Sequence, residues 1–217
     1  MHINISACVY ERFDMKKKQD KSYKIAKSEI VDNGGYVRAG KLTKAGIASS
    51  SVARLARQGT VVRVKRGLYR WHKTNSSSSL VEAAQIVPSG IVCLLSALAV
   101  HQLGSRTPWE IHLAIPRSAR KPVMPEYPPI KVVYFSDAQY QNGITIAKIE
   151  GVDIRVYDPE KTLCDCARYR NKIGMDVFRE ALTEYLRRPG RDIDKLLEYA
   201  KQLRVLSVLQ PVVEALA

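Results

Sequence analysis

The sequence predicts an α+β protein built from a small basic domain and a larger, nearly neutral one. Three observations support this prediction: a charge imbalance, a serine-rich break, and helical patterns mixed with short β-prone runs on both sides of that break. The chain has 217 residues, a length that suits two small domains. Apolar residues make up 46% of it and charged residues 26%, so the chain is able to bury a core.

Positive charge is concentrated at the N-terminal end. The first 75 residues hold 17 Lys and Arg against five Asp and Glu, which accounts for +12 of the net charge of +14. The remaining 142 residues hold 18 basic and 16 acidic side chains. Concentrated positive charge repels itself. A duplex carries about one phosphate charge per ~1.7 Å of its axis and is therefore the polyanion that suits this domain best.

A serine-rich break separates the two domains. Residues 74–79 read Thr-Asn-Ser-Ser-Ser-Ser, and consecutive serines neither fill a core nor favour a helix. The charge balance changes at the same place, so this segment is predicted to be a linker. The predicted organisation is a flexible N-terminal arm over residues 1–21, with Met15 as a second candidate start beside Met1, a basic domain over 22–74 and a C-terminal domain over 80–217.

The basic domain has the element order of a winged helix-turn-helix. Apolar spacing and helix-stop signals predict three short helices, and two β-prone runs around a basic glycine turn predict a hairpin. Ser49 and Ser50 are the expected N-caps of the third helix. The predicted elements are helices over 21–31, 39–45 and 49–58, an extended piece over 36–38, and hairpin strands over 60–64 and 68–71 around Lys65-Arg66-Gly67.

The third helix separates apolar from basic side chains. On a helical wheel, Val52, Leu55 and Ala56 gather on one side, whereas Arg54 and Arg57 lie opposite them. Such a helix fits the major groove of B-DNA, and a planar guanidinium group binds O6 and N7 of guanine together. The sequence therefore predicts a domain that reads bases through this helix.

Residues around the third helix are expected to bind phosphates. Hydroxyls and N–H groups at its start, lysines of the second helix, and the hairpin turn with Arg70 behind it all suit the DNA backbone. Two alternatives remain open: a merely solvated charged face, and a winged helix that binds a protein. The predicted DNA-binding residues are Lys41, Lys44, Ser49, Ser50, Ser51, Arg54, Arg57, Arg63, Lys65 and Arg66.

The C-terminal domain is predicted to combine a small sheet with helices. The apolar run Ile91–Val100 is too short to cross a bilayer, which needs about 20 residues, and is interpreted as part of a buried helix. Asp158 followed by Pro159 is a strong helix start. The predicted elements are helices over 80–86, 89–103, 159–170, 175–187, 192–203 and 205–216, and strands over 111–115, 130–135, 144–149 and 152–157.

Cysteines and histidines form no site pattern. The four cysteines do not form a disulfide framework, which favours a reducing cytoplasm. Cys164 and Cys166 would point roughly 200° apart on a helix, so no metal is predicted. His101 and His112 are interpreted as core or boundary residues. Because the sequence has no nucleophile elbow and no phosphate loop, we expect neither an enzyme nor a cofactor.

A metal-dependent nuclease is the enzymatic alternative. Glu150, Asp153, Asp158 and Glu160 fall within eleven residues, and clustered carboxylates hold the divalent cations of such enzymes, so that together with Lys161 they could build a restriction-type site. The acid-x-lysine spacing common in such sites is absent, however. Asp158 and Glu160 also suit the start of a helix, which favours the non-enzymatic interpretation.

Several segments resemble one protein family. The segment GIASSSVARLARQGTVVRVKRGLYRW resembles the N-terminal winged helix of AbiEi-type antitoxins, which belong to abortive-infection toxin–antitoxin systems. The segments VCLLSALAVHQL, WEIHLAIP and DIRVYDPEKTLCDCARYRNKIGMDVFREALTEYL look like the C-terminal domain of that family. The resemblance runs from about residue 23 to residue 210. It rests on ordered apolar and turn residues and on DPEKTLCD, not on a catalytic signature.

The resemblance implies a function for each domain. In this family the N-terminal domain binds inverted repeats in its own promoter and represses the operon, and the C-terminal domain opposes a nucleotidyltransferase-like toxin encoded beside it. On this sequence the repressor role falls to the DNA-binding residues named above. The antitoxin role falls to residues 80–217, where Lys161, Arg168 and Arg170 are candidates, although surface solvation explains them more simply. A transcription factor without a toxin partner also stays open.

Overall fold

The computed structural model describes residues 21–73 and 78–216. The predicted N-terminal arm and linker therefore lie almost entirely outside the described residues. Contacts divide the chain into two compact units, with the division between Ser77 and Ser78. We call residues 21–73 the basic unit and residues 78–216 the body. Each combines helices with a small sheet, so the predicted α+β class is confirmed.

The basic unit contains the predicted helices and hairpin. Its elements are α1 (residues 21–31), β1 (Tyr36–Arg38), α2 (Ala39–Lys44), α3 (Ser49–Arg57), β2 (Val61–Lys65) and β3 (Leu68–Trp71). The three strands form an antiparallel sheet in the order β1-β3-β2. This is the element order that a winged helix-turn-helix requires.

An apolar core holds the basic unit together. α1 contributes Ala26 and Ile30, α3 contributes Val52 and Leu55, and β3 contributes Trp71, all of them buried. Burying one large apolar side chain stabilises a fold by about 1.5–3 kcal/mol. This core therefore offsets the mutual repulsion of the many cations on the outside of the unit.

The start of α3 differs from the prediction. The N-cap is Ala48, which makes no side-chain cap, whereas Ser49 and Ser50 lie inside the first turn. The prediction that these serines cap the helix is therefore wrong. The turn before α3 sets its start, because the N–H of Ile47 donates to the carbonyl of Leu42 at 2.9 Å and the buried Ile47 side chain is fixed in the core.

The body is built on a five-stranded mixed sheet covered by helices. Its elements are α4 (Ser79–Ile86), β4 (Ile91–Val92), α5 (Leu94–Val100), β5 (Ile111–Pro116), β6 (Ile130–Phe135), α6 (Asp137–Gln141), β7 (Ile144–Ile149), β8 (Val152–Tyr157), α7 (Pro159–Ile173), α8 (Met175–Leu186), α9 (Ile193–Gln202) and α10 (Leu206–Leu216). The sheet order is β6-β5-β4-β8-β7, with β5/β6 and β4/β8 parallel and the other two pairs antiparallel. The four predicted strands are confirmed, and α6 was not predicted.

The predicted helix over residues 89–103 is wrong in its first part. Ile91 and Val92 form β4, the central strand of the sheet, and both are fully buried. Two β-branched residues fit between two neighbouring strands better than in a helix, so sheet pairing overrides the apolar pattern. The helix begins only at Leu94, whose φ of 47° breaks the strand. None of the helices in residues 21–73 and 78–216 has the length and apolarity needed to cross a bilayer.

Helix α7 lies at the centre of the body. Its predicted start is confirmed, since the Asp158 carboxylate accepts a hydrogen bond from the N–H of Lys161 at 2.8 Å and Pro159 follows at the first helical position. Leu163, Cys164 and many neighbouring residues of α7 are buried against the sheet and the other helices. Helix α7 is therefore enclosed on several sides.

A buried ion pair lies inside α7. The Lys161 ammonium lies 2.5 Å from the Asp165 carboxylate, and both side chains are fully buried. The Gln139 amide donates to the same carboxylate at 3.0 Å. The ammonium also lies over the Tyr157 and Phe135 rings, 4.4 and 5.1 Å from their centroids. Each charge depends on its partner, because an isolated ion in such a place loses its hydration without compensation.

We expect Lys161→Met to lower the free energy of unfolding by about 3–5 kcal/mol, because Asp165 is then buried without its partner. The double variant Lys161→Met/Asp165→Leu should recover most of that loss. Urea unfolding of the full chain, followed by circular dichroism, measures both. Lys131→Met removes the exposed partner of Glu110 and should change stability by no more than about 1 kcal/mol. If Lys161→Met is as mild as this control, the two buried charges do not depend on each other.

Candidate nucleic-acid interface

A short turn sets the angle between α2 and α3. Gly46 has φ +84°, a backbone conformation that suits glycine and lets the chain reverse after α2. Its N–H donates to the carbonyl of Thr43 at 3.0 Å. Leu42 on one side of the turn and Val52 on the other are both buried in the same core. Helix α3 is therefore held at a fixed orientation instead of moving as a free segment.

Helix α3 turns one face to the core and another outward. Val52 and Leu55 are buried, whereas Ala53 and Arg57 are exposed, as the wheel predicts for this face. Arg54 differs from the prediction because it is only partly exposed. Its Nε atom is buried and has no hydrogen-bond partner in the described part of the chain. The stem of Arg54 is thus partly buried, whereas Arg57 is exposed to solvent.

The first turn of α3 presents polar groups. Ser49 and Ser50 are exposed and Ser51 is half-buried. Among the described residues, none of these three hydroxyls has a hydrogen-bond partner. The first N–H groups of any helix also lack intrahelical acceptors and carry partial positive charge. This end of α3 is suited to phosphate oxygens even though the serines are not its caps.

The hairpin turn is a basic projection with a fixed base. Gly67 has φ +78° at its tip, and Arg66 beside it is exposed. Arg63 on β2 is exposed as well. The N–H of Ala39, the first residue of α2, donates to the Gly67 carbonyl at 2.9 Å. This bond joins the turn to the start of α2, so the wing and the helical part of the unit form one body.

Arg38 belongs to this surface and was missed by the sequence reasoning. It is exposed, and both Arg38 on β1 and Lys65 on β2 pair in register with Leu68 of β3. Partial burial, and after it the charge of Arg38, lower the pKa of Lys65. The two cations therefore repel each other at the base of the wing, and a bound anion would relieve this repulsion. The signal that could have found Arg38 is its place in the stretch 33–73, which contains no Asp or Glu.

Acidic residues are absent from the part of the basic unit that follows α1 and its neighbour Asp32. Residues 33–73 contain ten Lys and Arg and no Asp or Glu. Glu29 and Asp32 are the carboxylates of residues 21–73, and they lie on or next to α1. Lys41 contacts this end of the unit. Its ammonium lies 2.7 Å from the Asn33 amide oxygen and 3.7 Å from the Glu29 carboxylate. Lys41 is thus less available than the exposed Lys44.

The basic candidates on α7 do not form a surface in the body. Lys161 is fully buried, so the prediction that it is an exposed candidate is wrong; burial in its ion pair with Asp165 is the reason. Arg168 is exposed but donates to the carbonyl of Leu203 at 3.0 Å. Arg170 is half-buried and donates to the carbonyl of Ala167. These contacts indicate structural roles.

Two of the four carboxylates of the nuclease alternative, Asp158 and Glu160, are already engaged. Asp158 and Glu160 both contact the Lys195 ammonium, at 3.1 and 3.2 Å. Glu160 also accepts a hydrogen bond from the Tyr185 hydroxyl at 2.6 Å. Burial acts to lower the pKa of Lys195, but the hydrogen bonds that its ammonium donates to these two carboxylates, together with their negative charge, raise the pKa overall. Among residues 21–73 and 78–216, no His, Cys, Asp and Glu side chains cluster in a way that could hold a metal ion.

A solved structure shares the fold. The crystal structure of the RV2827C protein from Mycobacterium tuberculosis matches with a TM-score of 0.52 and 15% sequence identity, over 89% of this chain and 80% of that one. At this identity the likeness concerns the fold alone. No curated protein is significantly similar to the sequence. Residues 26–71, which hold α2, α3 and the wing, match the family model described as transcriptional regulator, AbiEi antitoxin, which confirms the predicted resemblance over that segment.

Proposed function

We propose that this protein is a DNA-binding antitoxin that represses its own operon. The basic unit binds inverted repeats in the promoter, and the body counteracts a nucleotidyltransferase-like toxin encoded nearby. No catalytic step and no cofactor is part of this proposal. The observation that carries it is the overlap of a regulator family match over residues 26–71 with residues 33–73, which hold ten cations and no carboxylate.

The two arginines of α3 have different parts in this mechanism. Arg57 is exposed and free to search the edges of the bases in the major groove. Arg54 is held by the burial of its Nε, so its terminal nitrogens reach the groove with less loss of side-chain freedom. A fixed fork is suited to bidentate recognition of guanine, which is the commonest specific contact in the major groove.

The surrounding groups supply affinity instead of sequence preference. The first turn of α3 with Ser49 to Ser51, Lys44 on α2, and the wing with Arg63, Lys65 and Arg66 are the proposed phosphate contacts. Arg38 joins them at the base of the wing. Each contact to a phosphate releases condensed counterions, so binding weakens steeply as salt rises.

The antitoxin part of the proposal rests on family resemblance. The body has its own sheet, its own core and the DPEKTLCD segment, which forms the central helix start. The contacts of Lys161, Arg168 and Arg170 argue against these residues as a toxin-binding surface. A transcription factor without a toxin partner is the second candidate function, and the matched region favours it equally.

Arg54→Ala should weaken binding to the protein's own promoter repeat by about 1–3 kcal/mol and relax its sequence preference, because a bidentate base contact is lost. Arg54→Lys keeps the charge but not the fork, so it should retain affinity for unrelated duplex and lose preference for the promoter. Fluorescence anisotropy on both duplexes at fixed salt measures this. Arg179→Ala, an exposed arginine of α8, is the control. Unchanged promoter affinity in both Arg54 variants would show that this side chain reads no base.

Lys65→Ala and Arg66→Ala should each weaken promoter and unrelated duplex alike. They should also reduce the slope of log Kobs against log salt concentration by about 1, because one phosphate contact disappears. Anisotropy titrations at four or more salt concentrations give these slopes. A loss confined to the promoter duplex would mean that the wing reads sequence, contrary to its assigned part.

The full chain carrying Arg54→Ala/Arg57→Ala should rescue cells from the neighbouring toxin as well as the wild type does, because neutralisation is assigned to the body. Co-expression with that toxin from an independent promoter measures growth without interference from operon control. Loss of rescue in this variant, at equal protein level, would place neutralisation in the basic unit. If no adjacent reading frame encodes a nucleotidyltransferase, the transcription-factor function without a toxin is favoured.

A further inference from the structure

The body contains a pocket that the proposed function does not use. It has a volume of about 710 Å³ and lies between the β5 and β6 edge of the sheet, the loop before β5, and helices α5 and α7. Small-molecule sites commonly have volumes of about 300–1,000 Å³. The pocket is therefore large enough for a ligand of the size of a mononucleotide.

Apolar and aromatic side chains line much of the pocket. Leu94, Val133 and Ile173 supply apolar surface, and Tyr169 contributes a half-buried ring. Trp109 lies at the same pocket with 79% of its surface exposed to solvent. Indole rings are seldom left in water to this extent, because their burial is strongly favourable. The pocket thus offers a planar surface on which a second ring can stack.

Positive charge surrounds these rings. Arg106, Lys131 and Lys172 line the pocket, and Glu110 is the one carboxylate among its lining residues. Lys131 pairs with Glu110 at 2.6 Å, which leaves the other two cations without an acidic partner in the described residues. The Arg106 guanidinium is held at the pocket by donating to the carbonyl of Ile173 at 3.4 Å. The net charge of the lining favours an anion.

His112 provides an unsatisfied polar group at the pocket. It lines the pocket, is only 3% exposed, and its Nδ1 has no hydrogen-bond partner among the described residues. Burial lowers the pKa of His112 more than nearby Glu110 raises it, so the ring is neutral at neutral pH. Its Nε2 lies 3.5 Å from the Glu110 carboxylate, which favours the proton on that nitrogen. Nδ1 is then an acceptor that no donor among the described residues satisfies.

We propose that this pocket binds a small anion that carries a planar ring, the chemical class of a mononucleotide. The ring stacks against Trp109 and the apolar wall, and the phosphate lies against Lys172 and Arg106. Duplex DNA does not fit this description, because its bases are paired and stacked already. The inference stands independently of operator binding and toxin neutralisation by the rest of the chain.

Isothermal titration of the full chain with AMP and GMP tests the proposal. At least one nucleotide should bind with one site per chain, and adenosine and ribose 5-phosphate, which lack the charge or the ring, should each bind at least ~10-fold more weakly, a difference of 1.4 kcal/mol. Trp109→Ala and Lys172→Ala should each weaken nucleotide binding by ~5- to 10-fold. Quenching of the exposed Trp109, compared with the buried Trp71, should follow the same titration.

Lys148→Ala is the matched control, since Lys148 is exposed on β7 and does not line the pocket. This control should leave nucleotide affinity within twofold of the wild type. If neither nucleotide binds, or if binding survives both pocket substitutions, the proposal is wrong. It is equally wrong if a short polyglutamate peptide competes fully with the nucleotide, because the pocket would then recognise an acidic chain instead of a ring. Unchanged thermal midpoints of the variants show that a loss of binding is not a loss of fold.

Discussion

The unbalanced positive charge of the basic unit is the constraint on which its stability and its proposed binding to DNA both depend. Residues 33–73 carry ten cations with no carboxylate among them, and the two acids of residues 21–32 lie on or beside α1. Internal ion pairs cannot neutralise such a surface, so its stability depends on the apolar core under α3 and the sheet. Partial burial, and after it the charge of Arg38, lower the pKa of Lys65, so part of this shift reflects the repulsion. An external polyanion relieves it, and a surface of this kind is suited to bind one.

The body, unlike the basic unit, neutralises its buried charges with internal ion pairs. Its buried charges are paired: Lys161 with Asp165 inside α7, and Lys195 with Asp158 and Glu160 at the start of that helix. The pairs of Lys195 join the start of α7 to α9 and engage the carboxylates of Asp158 and Glu160. Two cations without an acidic partner among the described residues, Arg106 and Lys172, lie at one aromatic pocket. The two units thus present two distinct cationic surfaces, one along α3 and the wing and one at the pocket of the body.

Local patterns predicted much of this fold, because short-range physics sets most of its elements. The α3 wheel, the glycine wing turn and the Asp158-Pro159 start all follow from residues close in sequence. The predictions that were wrong share one cause, which is contact between residues that lie far apart in the sequence or in different elements. Ile91 and Val92 became a central strand because β5 and β8 lie on either side, and Lys161 is buried because Asp165 and Gln139 receive it. Arg38 and the pocket residues were missed because they come together only through strand pairing and helix packing.

The proposed function depends above all on α3 and the wing binding a double helix together. The most direct measurement is an NMR titration of the full chain with a duplex from its own promoter, followed through backbone amide shifts. The largest shifts should fall on α3, on the turn before it and on the wing from Arg63 to Gly67, with little change in the body. Shifts confined to α1 or to the body, with α3 unaffected, would contradict this proposal.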